Sequence, residues 1–118
     1  MSKRILIAED QMASREALTL LATRRGYEVV AVTNGADLLN IAVKEKFDLI
    51  ITDLIMPDLN GAAATEIMKM QGNETPIIAL TGLSHHDVSL VETKFTKIFH
   101  KPFNVDKLFE YIESLLGS

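Results

Sequence analysis

Five times along the chain a short β-branched apolar run is followed by a stretch with helical spacing, and this alternation leaves few folds open. The runs are Ile5 to Ala8, Val29 to Val32, Leu49 to Thr52, Ile77 to Leu80 and Ile98 to Phe99. Each reads as a strand. Between them, apolar residues recur at helical intervals: Ala17, Leu18, Leu21 and Ala22; Leu38, Leu39, Ala42 and Val43; Ala64, Ile67 and Met68; Val88 and Val91. The clearest amphipathic helix comes last, through Val105, Leu108, Phe109, Ile112, Leu115 and Leu116. Arg24-Arg25-Gly26 ends the first helix with cations and a C′ glycine, and Asn104 is the expected N-cap of the last.

Strands that are apolar on both faces belong in a parallel sheet covered by helices on both sides. The predicted fold is therefore a doubly wound α/β domain with a five-stranded parallel sheet, order 2-1-3-4-5. At 118 residues and 47% hydrophobic, the chain suits one domain, here taken as 1–118. A net charge of -4 provides no basic footprint for direct nucleic-acid binding and no polybasic patch for a membrane surface. The absence of cysteine excludes a disulfide framework and Cys-based zinc sites. The apolar run at Ile5 meets Glu9 and Asp10 too soon for a signal peptide, and no stretch has the length of a membrane span. The expected location is cytoplasmic.

In doubly wound folds the ligand site lies beyond the carboxyl ends of the strands, where the strand order reverses. Glu9 and Asp10 end the first strand and Asp53 ends the third, so order 2-1-3-4-5 brings three carboxylates into one crevice. Their mutual repulsion and desolvation are relieved by a hard divalent cation, and so few protein ligands suit Mg²⁺ better than a calcium cage. The fourth strand ends on Thr81 before the small Gly82, and the fifth on Lys101 before Pro102. A hydroxyl and an ammonium both donate to phosphoryl oxygens. Asp53 then reads as a nucleophile, with Mg²⁺ and Lys101 offsetting the charge of an incoming phosphoryl group.

The acidic pair Glu9-Asp10, "DLIMPDLNG" from Asp53 to Gly61, "PIIALTG" from Pro76 to Gly82 and "KPF" from Lys101 to Phe103 stand in order at these strand ends. With them the chain resembles the receiver domain of two-component response regulators, especially single-domain receivers of the chemotaxis type, over essentially its whole length. The resemblance implies a flavodoxin-like (βα)5 receiver fold, with Asp53 accepting phosphate from a sensor histidine kinase or a histidine phosphotransfer domain. It further implies Asp10 as a direct Mg²⁺ ligand, Glu9 acting mainly through water, and the backbone carbonyl of Ile55 as another ligand. Thr81 is implied to bond the phosphoryl group and carry the switch, Lys101 to contact it as a cation, and the Lys101-Pro102 bond to be cis. Such a chain is a signalling phosphoacceptor that assists only its own phosphorylation and dephosphorylation, and is not an enzyme turning over a metabolite. It acts on an output protein or output domain that this sequence does not name, as a single-domain regulator or as part of a longer regulator or hybrid kinase.

Departures from the family bear on mechanism. Many receivers place an aromatic ring three residues before the lysine, where this chain has Ile98; Phe99 cannot replace it, because adjacent strand residues face opposite ways. The Thr81 to Lys101 segment is slightly short, which bears on the usual output face made by the last strand, the last helix and the helix before them. Ile55 and Leu83 are apolar where many receivers carry groups that orient a hydrolytic water, so slow self-dephosphorylation is expected. Three alternatives stand beside this reading. A flavodoxin-like carrier is disfavoured because Glu9-Asp10 would repel a flavin phosphate, and a haloacid dehalogenase-type phosphohydrolase because it needs a second Asp where Ile55 stands. The third is a pseudo-receiver acting as a phosphorylation-independent protein-binding module, usually with a degraded acidic triad. Ser84 to Asp87 fits a capping box, and His85 and His86, being adjacent, do not share a helix face, which makes them poor metal ligands. Met56, Met68 and Met70 read as packing, Asp58 as solvated, and Asn60-Gly61 as a tight turn.

Overall fold

The computed structural model describes residues 2–56, 60–82 and 94–117. Strands β1 (Arg4–Ala8), β2 (Glu28–Val32), β3 (Leu49–Asp53), β4 (Ile77–Thr81) and β5 (Lys97–His100) form one sheet. Its order is β2-β1-β3-β4-β5 and every pairing is parallel, as the alternation predicts. Helices α1 (Met12–Arg24), α2 (Gly35–Lys44), α3 (Gly61–Met70) and α4 (Val105–Leu116) cover it. Val88, Val91 and the Ser84 to Asp87 segment with its two histidines lie outside the described residues, as do Asp58 and Leu83. Among the described residues no helix is long and apolar enough to cross a membrane.

The two-residue period of the strands divides the interior into two cores. Leu6, Ala8, Ile50 and Ala79 pack with Leu38 and Ala42 of α2 and Ala64 and Met68 of α3. Their strand neighbours Ile5, Ile7, Leu49, Ile51, Ile78 and Leu80 pack on the other side with Leu18 and Ala22 of α1 and Leu108, Phe109 and Ile112 of α4. All five residues of β3 and of β4 are buried, which is why those strands read as continuous apolar runs; β2, at the sheet edge, is half-exposed.

Several helical positions fall outside the buried stripe. Ala17 is exposed, Val43 is 62% exposed with Ile41 partly buried in its place, and Val105 sits at the exposed start of α4. Met56 and Met68 pack as expected, whereas Met70, in the last turn of α3, is 82% exposed. Each of these residues lies beside the core-facing stripe, where an apolar side chain needs no burial.

Helix ends follow local chemistry. Arg25 and Gly26 close α1 with bonds from Gly26 N–H to Thr23 O and Tyr27 N–H to Ala22 O, and Gly26 takes the left-handed φ of +90° this motif favours. Asn104 caps α4 through Lys107 N–H, as predicted. Asn60 is also an N-cap, its Oδ1 accepting from Ala63 N–H at 2.8 Å, and Gly61 is the first residue of α3. This corrects the reading of Asn60-Gly61 as a tight turn.

Candidate functional site

The carboxyl ends of β1, β3, β4 and β5 converge beyond the sheet. Asp53 is the last residue of β3, the central strand, with β1 on one side and β4 on the other; Leu80 is its Cα partner. Glu9 directly follows β1, and its N–H continues the ladder to Val32 O at 3.1 Å. The sheet thus delivers both carboxylates to one point. Glu9 is only 1% exposed, Asp53 8%, and Asp10 is exposed. Carboxylate oxygens of Glu9, Asp10 and Asp53 all lie within 4.8 Å of one another.

Lys101 reaches this cluster from just past β5. Its Nζ donates to Asp53 Oδ2 at 2.6 Å and to Glu9 Oε1 at 3.1 Å. The Lys101 N–H donates to Thr81 O at 2.7 Å, so the end of β4 fixes the main chain from which the ammonium projects. Thr81 is fully buried and pairs in register with His100. The Lys101-Pro102 peptide is cis.

Burial pushes the Glu9 carboxyl above the usual glutamate range, reinforced by the neighbouring Asp53 charge and opposed by the bond from Lys101. Burial acts to lower the Lys101 pKa, but its bonds to Asp53 and Glu9 outweigh this and hold it above the ordinary lysine value. A single ammonium therefore serves two carboxylates, while Asp10 forms no ion pair among the described residues. All donors in the cluster are hard oxygens, few in number and open on one side, a set that fits Mg²⁺.

Two further elements shape Asp53. The Ile55 N–H donates to Asp53 Oδ1 at 3.0 Å, so this residue meets the acid through its main chain while its side chain is 60% exposed. At Gly61 a Cβ would collide with the Asp53 carbonyl oxygen and crowd Thr52 Oγ1. Only glycine lets the start of α3 lie against the strand end. The Ile55 N–H has no sequence signature, whereas the glycine of "DLIMPDLNG" was visible with its purpose misread. Ile98 joins the core on the α2 and α3 side and Phe99 the opposite one, as strand alternation requires.

The sequence model of the response regulator receiver domain matches residues 5–113. The chain belongs to the response regulator receiver domain family. Receiver domains interact with histidine kinases and output domains in two-component systems. This receiver domain is 33% identical over 106 residues to the transcription factor SKN7 of Saccharomyces cerevisiae, covering 88% of the chain. It spans only 17% of that protein's length and 20% of the length of Candida albicans SKN7. With sporulation initiation phosphotransferase F of Bacillus subtilis it shares 27% identity over 118 residues, 98% of this chain and 95% of that one. Response regulator TrrA of Thermotoga maritima, solved in complex with Mg²⁺-BeF, superposes with a TM-score of 0.88 at 32% identity, covering 97% of this chain and 99% of that one. The receiver domain of a Pseudomonas aeruginosa sensor histidine kinase, with magnesium coordinated in its active-site cleft, gives 0.90 at 26% identity with full coverage of both chains.

Proposed function

We propose that this receiver domain is a phosphoacceptor switch of a two-component phosphorelay, taking a phosphoryl group from a phosphohistidine onto Asp53 in the cytoplasm and changing partner binding as a result. The observation that carries the reading is the placement of Lys101 Nζ on Asp53 Oδ2 at 2.6 Å, beside an acidic cluster at the carboxyl edge of the sheet. An Asp53 carboxylate oxygen attacks phosphorus, the P–N bond to the donor imidazole breaks as the P–O bond forms, and the departing imidazole takes a proton from solvent. Lys101 offsets negative charge on the transferred group, and the Ile55 N–H holds the carboxylate in orientation. Mg²⁺, held by Asp10, Asp53, the Ile55 carbonyl and, through water, Glu9, would supply Lewis-acid neutralisation of phosphoryl charge.

Thr81, buried at the adjoining strand end and bonded through its carbonyl to the Lys101 N–H, is the group suited to register the new charge. Switching then follows if one arrangement of the β4 and β5 ends binds the phosphoryl group better than another. The domain assists only the gain and loss of its own phosphoryl group, and its partners are a sensor histidine kinase or histidine phosphotransfer domain and an output protein or domain. Intact mass after incubation with Mg²⁺ and acetyl phosphate, beside Asp53→Asn, tests this. A gain of one phosphoryl mass in the parent alone is expected; no gain by a folded parent from acetyl phosphate or from a histidine donor would overturn it.

A further inference from the structure

Three of the four described helices begin with a side-chain cap: Asn34 accepts from Asp37 N–H, Asn60 from Ala63 N–H and Asn104 from Lys107 N–H. At the start of α1 the N-cap Gln11 makes no such bond, and the first turn carries no acidic residue. Yet this is the turn that presents Glu9 and Asp10. Within it the side chain of Glu9 is met by Gln11 N–H only at a long 3.4 Å. What reaches back instead is Arg15, one turn into α1: its Nη1 donates to Glu9 O at 3.0 Å and to Asp10 O at 3.3 Å. Among the described residues its guanidinium forms no ion pair with a carboxylate.

We propose that Arg15 is the positioning residue of the metal site, clamping the main chain of the acidic pair in place of the missing helix cap. Glu9 is then held from both sides, its N–H by Val32 O of β2 and its C=O by Arg15. Asp10 is exposed and makes no ion pair of its own among the described residues, so its direction toward the cluster depends on the main chain that Arg15 grips. The guanidinium is suited to this because its rigid fork offers several donors from one plane. It also sets a positive charge behind the carboxylates without occupying the oxygens that would meet a cation. Groups that orient metal ligands from behind typically change affinity by about 10- to 100-fold when removed.

The inference rests on the proposed Mg²⁺ site, and the experiment separates the two. Mg²⁺ affinity is measured by calorimetry on the full chain, on Arg15→Ala, on Arg15→Lys, and on Asn34→Ala as a control that removes the side-chain cap of a different helix. Hydrogen exchange at the Glu9 and Asp10 amides is followed in the same proteins without Mg²⁺. Arg15→Ala is expected to weaken Mg²⁺ binding by about 10-fold and to speed exchange at both amides several-fold, with Arg15→Lys recovering part of each loss and Asn34→Ala changing neither. A parent that binds Mg²⁺ beside an Arg15→Ala protein of equal affinity overturns this inference alone, as does an equal loss in Asn34→Ala. A parent that binds no Mg²⁺ overturns the proposed metal site, and this inference with it.

Discussion

Replacing Lys101 with methionine keeps the side chain's length and removes its charge, leaving two carboxylates facing each other at the end of the sheet. Glu9 suffers most, because its side chain is 1% exposed against 11% for Asp53. At the observed 3.1 Å the lost attraction is about 5 kcal/mol for an effective dielectric of about 20. Glu9 does not have to bear that whole penalty, since it can take a proton. From its ordinary value of 4.5, holding it protonated at neutral pH costs about 1.4 kcal/mol for each of about 2.5 units, a ceiling of about 3.5 kcal/mol. The variant should therefore lose about 2 to 3 kcal/mol at pH 7. Lys101 has a raised pKa, so its contribution is complete below 10.5 and fades only as pH rises through the higher folded value. On the acid side the difference between variant and parent must shrink as pH falls toward and below 4.5, because Glu9 then takes up its proton in folded and unfolded chains alike. Urea unfolding followed by far-UV circular dichroism at pH 7 and near pH 4.5 measures both quantities. A loss of the same size at the two pH values, or none at pH 7, would refute the reasoning.

Gly61→Ala forces a methyl into the Asp53 carbonyl and should destabilise by more than about 2 kcal/mol, with slower phosphorylation by acetyl phosphate than in the parent; an unaffected midpoint in urea would show that α3 can retreat freely. Asn34→Ala removes the bond to Asp37 N–H at 2.8 Å and should cost about 1 kcal/mol, read as a lower Tm in calorimetry. The exposed, apolar Ile55 and the apolar Leu83 offer no group to orient a hydrolytic water, so Ile55→Asn and Leu83→Glu, singly and together, should speed decay of the phosphorylated protein in a phosphate-release assay. Glu9→Gln removes a carboxyl whose pKa burial raises, so it should stabilise the metal-free protein more at pH 7 than near pH 4.5, where more than half of the native acid carries its proton.

Most of the sheet was legible because its central strands are covered on both faces, so "LII" and "IIAL" carry no polar interruption to blur them. The strand ends were legible for the opposite reason, since Asp53 and the Glu9-Asp10 pair break those runs abruptly. Helix faces were less so. Val43 fits the spacing and Met70 reads as packing, yet both stand in solvent, because helical period alone does not say where a stripe's edge lies. Asn60 was misread because asparagine accepts backbone N–H groups both in turns and at helix starts, and only the chain direction after Gly61 separates the two. The bond from Lys101 to Glu9 spans 92 residues, and its sharing of one ammonium between two acids left no pattern in the sequence.

The two cores share no side chain, since alternate residues of each strand commit wholly to one face or the other. The sheet is a partition with only main chain in common. Repacking beneath α2 and α3 can therefore proceed by compensating substitutions that never touch the contents under α1 and α4. A lineage built on this plan can re-tailor one flank for a new associate while the opposite flank keeps its old one, and the strand tips between them stay where both histories need them.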